Sequence, residues 1–331
     1  MAPIATLPPR PDRREDFHIA IFCALPIESD AVRAVFDHQW DNENDDQVPF
    51  DKAVGDDNAY VTGVIGRHNV VLAYLPNMGS VSAAHVAKDC QKSYPNISLA
   101  LVVGICGVVP GNDGIERLLG DVIVSKGVIN YEFGRKYDDK FVRKDTIQDN
   151  YSRHTGYLKT AMAKFTSLHD RRNLKRRMNK YLEDLQQDSE LKAHYPGKEK
   201  DWLFEADYRH AGDEGAPCES TCCPDRLVRR QRLLGNQDTD PVVHVGTVAC
   251  GSGVIRSAKF RDMIAQTDRE KPIAFEMEGI GAWDVFPTLI IKGACDYADS
   301  HKTKVWQHYA AAVAAACVKG FLFEWKPSGS G

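Results

Sequence analysis

No apolar run in the chain approaches the ~20 residues needed to span a bilayer, so no membrane partner is expected. The first sixteen residues, Met1 to Asp16, hold four prolines and three arginines but lack the apolar core of a signal peptide. They are expected to form a disordered lead-in, and Ser328 to Gly331 a flexible tail. Without a signal peptide, the nine cysteines point to reduced thiols in the cytosol or nucleus, and a cytoplasmic location is expected. Positive charge is not in excess either. The net charge is −4, which gives no overall argument for a nucleic-acid partner. There is also no internal repeat. What remains is a 43% hydrophobic globular composition, and 331 residues suit one large domain carrying an insertion.

Within that background the acids stand out by position. Pro272-Ile273-Ala274-Phe275 reads as a strand leading into Glu276-Met277-Glu278, and Thr288-Leu289-Ile290-Ile291 as one leading to Asp296. Phe17 to Phe22 reads as a first strand, with Glu28 following in Ala24-Leu25-Pro26-Ile27-Glu28. Carboxylates at strand carboxyl ends in an α/β sheet point into the crevice where such folds bind ligands. Three such ends suggest acid/base chemistry on a small polar substrate. The plainer alternative is helix capping, since an acid after a strand often satisfies free N–H groups of the next helix. Glu28 precedes Ser29, Asp30 and the apolar Ala31, Val32, Val35 and Phe36, and could be only that. Glu276 and Glu278 are expected on one side of an extended segment, with Met277 opposite. Two like charges that close are costly unless a cation or hydroxyl groups engage them, which favours a functional role.

Strand and helix signals alternate from 17 to 147, as in an α/β fold. Strands are expected at 59–65, 69–74, 98–103 and 121–125, and a helix at 80–94. Gly104-Ile105-Cys106-Gly107 is expected to permit a tight turn and close backbone approach to a ligand. The pattern then breaks. One or two helices are expected from Tyr157 to Leu191, and a polar irregular stretch from His194 to Pro241. A structureless stretch of that length marks an insertion or lid, placed at about 155–240 of a domain spanning 17–326. A strand at 242–249, the acid-bearing strands and an Ala-rich helix from Trp306 to Phe323 complete the chain.

Cys23, Cys106, Cys250 and Cys295 sit in apolar or Gly-rich segments and read as core packing. His210, Cys218 and Cys222 could ligate zinc, but their spacing is not a strong zinc pattern. A disulfide or free thiols are the alternatives, and the expectation is no metal and no cofactor. The basic residues Arg135-Lys136, Arg143-Lys144 and the 171–177 run read as solvated faces. If the insertion folds over the substrate they would instead bind phosphates.

Several segments together resemble the purine nucleoside/uridine phosphorylase superfamily. They are Ala24 to Glu28, Asn77-Met78-Gly79-Ser80, Val103 to Gly107, Leu119 to Ser125, Phe275 to Gly279 and Cys295 to Asp299. Each is weak alone; their order carries the resemblance, over about 17–147 and 242–323. Fungal nucleosidase-like members are the most similar, sharing Tyr131-Glu132-Phe133-Gly134, Leu203 to Tyr208 and Asp296 to Lys302. The resemblance implies a three-layer αβα fold with a central mixed, twisted sheet, interrupted by a helical and irregular insertion. It implies that Met277 and Glu278 hold a ribose, with Glu276 and Met78 beside them. It implies that Asp296 hydrogen-bonds or protonates purine N7. Val254, Ile255 and Phe133 would line the base pocket, and Cys106 and Gly107 would belong to a backbone cradle. A homo-oligomer is expected by the same analogy.

Protonating N7 makes the purine a better leaving group, and anionic groups near the sugar stabilise the ribosyl cation. Phosphorolysis needs cations for phosphate, whereas Glu28 would repel it; related hydrolases carry an acid there to activate water. The expectation is therefore a purine nucleosidase acting on adenosine, inosine or guanosine. The alternatives are an AMP/ATP nucleosidase, a phosphorylase and an inactive nucleoside-sensing module.

Overall fold

The computed structural model describes residues 7–40, 50–111, 113–139, 141–144, 156–213, 216–234 and 239–326. Its first half contains β1 (Ile19–Cys23), α1 (Pro26–Ala34), β2 (His38–Gln39), β3 (Tyr60–Ile65), β4 (His68–Tyr74), α2 (Ser80–Ser93), β5 (Leu99–Val108) and β6 (Val122–Asn130). The middle contains β7 (Gly134–Lys136), β8 (Phe141–Arg143), α3 (Gly156–Thr166), α4 (Leu168–Gln186) and the short α5 (Cys218–Thr221). The last third contains β9 (Val243–Cys250), α6 (Ala258–Thr267), β10 (Ala274–Glu276), α7 (Gly279–Trp283), β11 (Thr288–Asp296) and α8 (Gln307–Glu324).

Nine strands form one mixed sheet in the order β10-β9-β6-β11-β5-β1-β4-β3-β2. Strands β1, β4, β5 and β11 run parallel, and β6 runs antiparallel to β11. Continuous apolar runs such as Leu99 to Val103 are what a strand covered on both faces requires. Helices α1 and α8 cover one face and α2 and α7 the other, giving three layers. Helix α8 is apolar nearly all round because it is buried nearly all round, between the sheet and the helices α1 and α4.

The sheet does not stay open. Strand β5 runs through its glycines to Val108, and its end pairs antiparallel with β10 through Gly107–Phe275 and Val108–Ala274. The tight turn expected at Gly104–Gly107 is therefore corrected. These glycines lie inside a strand, where they let other groups approach its backbone. A Cβ on Gly104 would lie 1.9 Å from a Glu28 carboxylate oxygen, and one on Gly107 would lie 2.9 Å from Asp296 Oδ1. Closure of β10 on β5 brings three acid-bearing strand ends to one place.

Two further expectations change. Residues 7–16 are not a loose lead-in. Arg14 donates to the Ser93 carbonyl and pairs with Asp51, and the Arg10 guanidinium lies 4.2 Å from the Phe50 ring centroid. Residues 1–6 and the tail at 327–331 lie outside the described residues. The helical half of the middle segment is core rather than lid. Leu158, Met162, Phe165, Leu174, Met178, Leu182 and Leu185 join the main hydrophobic cluster, with α4 packed on α8. The irregular half is tied down by buried Arg230, which donates to Tyr297 Oη and to the carbonyls of Pro110 and Arg117.

The contact between β11 and α8 is tight enough to test. A Cβ on Gly293 would lie 2.0 Å from the Ala310 carbonyl oxygen, a backbone atom that cannot rotate away. Gly293→Ala is expected to cost about 1–3 kcal/mol, read as a lower urea midpoint.

Candidate functional site

Strand β1 ends at Cys23, and Pro26 at the first position of α1 sets the helix direction. Glu28 then falls in the first turn and folds back. Its carboxylate accepts from Ala24 N and Leu25 N at 2.9 Å each, and from Ile105 N at 2.8 Å. The capping role is thus real, but it does not exhaust this carboxylate, which also lines a cavity of about 710 Å³. Burial raises its pKa above the ordinary glutamate value, against the lowering influence of Lys292.

Strand β10 ends at Glu276, and Glu278 is the N-cap of α7 with a helical backbone. The expected same-side extended pair is corrected. Glu276 turns onto the start of α7 and accepts from Glu278 N and Gly279 N at 2.9–3.1 Å. Glu278 instead accepts from Gly79 N at 3.2 Å and from Lys292 Nζ at 3.0 Å. The cation that such close acids require is Lys292, itself only 1% exposed in the middle of β11. Burial raises Glu276 and would raise Glu278, but the ammonium and its hydrogen bond hold Glu278 below the usual carboxylate range. Burial alone would depress Lys292, yet Glu278, Glu28 and Glu276 together push it well above the ordinary value. The sequence reading missed Lys292. Its signal was a lysine directly after the apolar run Leu289-Ile290-Ile291.

Asp296 reaches the same cavity by another device. The register of β11 on β5 shifts between Ala294 and Asp296, so Asp296 pairs with Gly107 and its side chain is re-aimed. Asp296 Oδ1 accepts from Lys302 Nζ at 2.7 Å and from Ala298 N at 2.8 Å. Ala298 adopts φ 51°, an unusual conformation for a residue with a side chain and one often found at functional sites. The other carboxylate oxygen meets the Cys295 thiol at 3.5 Å. Glu28 binds the backbone at Ile105 and Asp296 sits at Gly107, two residues along β5. That spaces the two acid sites by about 7 Å along the strand.

Of the other expected residues, Met78, Met277, Cys106, Gly107, Val254 and Ile255 all line the cavity. Phe133 does not. Its ring is half exposed beside β7, with Lys144 Nζ 5.2 Å from its centroid. Phe275 and Tyr131 line the cavity instead, packed edge to face at 5.7 Å. The basic run on α4 is also absent from the lining. Arg177 pairs with Glu324 and lies over Phe323, and Lys175 pairs with Asp240. The cations that do line the cavity are Lys200, Arg256, Lys302 and Lys304. His210, Cys218 and Cys222 converge, joined by His301.

A three-layer α/β protein with a closed-over mixed sheet and acids at its strand ends has the nucleoside phosphorylase-like fold. The sequence model of the phosphorylase superfamily matches residues 18–316, and the chain belongs to that superfamily. A nucleotide-binding leucine-rich repeat (NLR)-like protein of Hyaloscypha variabilis is 35% identical over 323 residues. The match covers 93% of this chain but only 29% of that protein. Among solved structures, a 5′-methylthioadenosine/S-adenosylhomocysteine nucleosidase of Neisseria meningitidis is similar with TM-score 0.57 at 14% identity, covering 93% of this chain and 99% of that one. A futalosine hydrolase of Helicobacter pylori is similar with TM-score 0.54 at 13% identity, covering 94% and 99%. At these identities the likeness is one of fold. Among the described residues, no helix is long and apolar enough to cross a membrane.

Replacing Lys292 tests the electrostatics of the site. Lys292→Met keeps the side-chain length and leaves three buried carboxylates without their cation, a loss of about 3–5 kcal/mol near neutral pH. In the native protein the lowered Glu278 contributes stability above its unfolded pKa, lost as pH falls through the folded value. In the variant the carboxylates are raised, so stability is lost as pH rises. The gap in urea midpoint between the two proteins is therefore expected to narrow toward about pH 5.

Proposed function

We propose that this chain is a purine nucleosidase, an N-ribohydrolase that releases a free purine and ribose. The observation that carries the reading is the division of the cavity lining. One part carries Glu28, Glu276 and Glu278 around a single buried ammonium, and another carries Asp296 with Lys302. The carboxylate group sits where positive charge on a ribosyl ring would be stabilised, and Glu278 can accept from sugar hydroxyls. Asp296, through the oxygen away from Lys302, hydrogen-bonds purine N7 and passes it a proton as the bond breaks. Pyrimidines have no N7 and gain nothing from it. Val254, Ile255 and Phe275 offer apolar surface to the base. Glu28 takes the proton from the attacking water. At the Glu28 end of the cavity three carboxylates share one lysine, which disfavours phosphate as the nucleophile there.

The solved nucleosidase and hydrolase with this fold support a hydrolase reading, and intact Glu28, Glu278 and Asp296 argue against a silent sensing module. A nucleotide substrate is the second reading. It no longer draws on the α4 arginines; Lys200, Arg256 and Lys304 in the cavity lining favour it instead. The NLR-like relative is consistent with such a domain acting as a module of a longer protein.

Adenosine, inosine, guanosine, AMP and ATP would each be incubated with the protein, with and without phosphate, and the products separated by chromatography. Free base with unphosphorylated ribose is expected from the nucleosides, whether or not phosphate is added. Ribose 1-phosphate as the main product would overturn the hydrolase reading. Asp296→Asn is expected to lose about 10²-fold or more in kcat with the fold retained by circular dichroism.

The pH profile tests Glu28 separately. Its raised pKa places the acidic limb of kcat/KM above the ordinary glutamate value of 4.5, because only the ionised form accepts a proton. Glu28→Ala should abolish hydrolysis while purine binding, measured calorimetrically, persists. Near wild-type turnover in that variant would remove Glu28 from the mechanism.

A further inference from the structure

Where residues 208–213 and 216–222 pass beside residues 299–303, four ligand-type atoms meet. They are the Nδ1 atoms of His210 and His301 and the Sγ atoms of Cys218 and Cys222, all within 4.8 Å of one another. The two cysteines stand four residues apart across α5 and its C-cap, so both sulfurs leave the same side. Cys218 Sγ lies 3.4 Å from His210 Nδ1 and 3.7 Å from His301 Nδ1. Cys222 Sγ lies 3.2 and 3.6 Å from the same two atoms. Tetrahedral zinc, with Zn–S near 2.3 Å and Zn–N near 2.0–2.1 Å, sets sulfur and nitrogen about 3.5 Å apart. The four separations bracket that value.

Hydrogen bonding alone accounts poorly for this arrangement. His301 Nε2 is 3.2 Å from the Tyr208 carbonyl oxygen. A carbonyl only accepts, so Nε2 carries the ring proton and Nδ1 turns a lone pair toward the sulfurs. Two thiols, with a His210 ring proton on Nδ1 at most, supply three protons for four sulfur–nitrogen contacts. One divalent cation would take all four lone pairs, and two thiolates would cancel its charge. The surroundings also suit a metal. The Tyr208 carbonyl orients His301 as metal-bound histidines are usually oriented, and Phe204 stacks on the ring at 4.0 Å. Cys222 and His301 are buried, and no disulfide joins the cysteines.

We propose that His210, Cys218, Cys222 and His301 hold a structural zinc ion that pins the irregular segment to the loop following Asp296. Four protein ligands leave no open coordination position, so the ion is structural rather than catalytic. Two soft thiolates with two imidazoles in a tetrahedral set select zinc over calcium or magnesium. Its value lies in what it joins. Three ligands come from a stretch with little regular structure, and the fourth is five residues beyond Asp296. His210, Pro217, Cys218 and Glu219 line the same cavity as Asp296 and Lys302, so the ion fixes part of the cavity wall. The proposal does not depend on which substrate the cavity takes.

The test is metal content of the full chain, purified without a polyhistidine tag or chelator and measured by plasma mass spectrometry. About one zinc per chain is expected. Exchange with cobalt(II) should give the intense visible bands of tetrahedral cobalt and a thiolate-to-metal charge-transfer band. Cys218→Ser combined with Cys222→Ser should bring zinc to near none, while Cys223→Ser, outside the set, should leave it unchanged. If the double variant does not fold, the cobalt spectrum of the wild type still decides. The proposal is overturned if the wild type takes up neither zinc nor cobalt. It is also overturned if the folded double variant retains full zinc, or if cobalt binds without a thiolate band.

Discussion

The site depends on one buried ammonium. Lys292 lies in the middle of β11, shielded from water, and balances Glu278 by contact and Glu28 and Glu276 through the low-dielectric interior. Three carboxylates could not be buried this closely without such a cation, because each would have to take up a proton or move apart. The backbone supplies the rest of the compensation. Glu28 receives three N–H groups, and Glu276 receives those at the start of α7. The acids are thereby held in place and ionisable, as the proposed hydrolysis requires of a cation-stabilising wall and a water-activating base.

The geometry around that cluster comes from the closure of the sheet. Pairing of β10 with the end of β5 converts acids that are far apart in sequence into neighbours. The register shift in β11 then turns Asp296 toward Gly107. Glycine matters here for what it leaves out: a Cβ at Gly104 would occupy the space of the Glu28 carboxylate. The middle segment completes the enclosure in two ways. Its helices bury an apolar face on α8, and its irregular half reaches the cavity and is anchored by Arg230 and, on our proposal, by zinc.

Much of this was legible from residue order. Apolar runs of strand length located β1, β3, β4, β9 and β11, and the Ala-rich run located α8. The acids Glu28, Glu276, Glu278 and Asp296 were singled out because each follows a strand, and all four line the cavity. Other features left a weaker trace. Glycines at 104–107 suggested a turn as well as close approach to the backbone, and only folding shows that they lie inside a strand. Phe133 belonged to a recognisable motif, yet it lies outside the cavity, and Tyr131 and Phe275 line it instead. The arginines of α4 read as charge without a destination. Their helix packs on α8, which places them away from the cavity.

The sequence by itself determined the alternation of elements, the superfamily and the presence of acids at strand ends. Those are local properties, set by hydrophobic period and by which residues follow a strand. Tertiary structure alone decided how the acids are used. Glu276 and Glu278 diverge because one caps α7 while the other meets Lys292, a distinction made by a lysine fourteen residues away on another strand. His301 joins His210, Cys218 and Cys222 across about eighty residues of chain, a separation that no spacing rule covers. Charge pairing and metal-type geometry act through space at a few ångströms, and folding sets those distances.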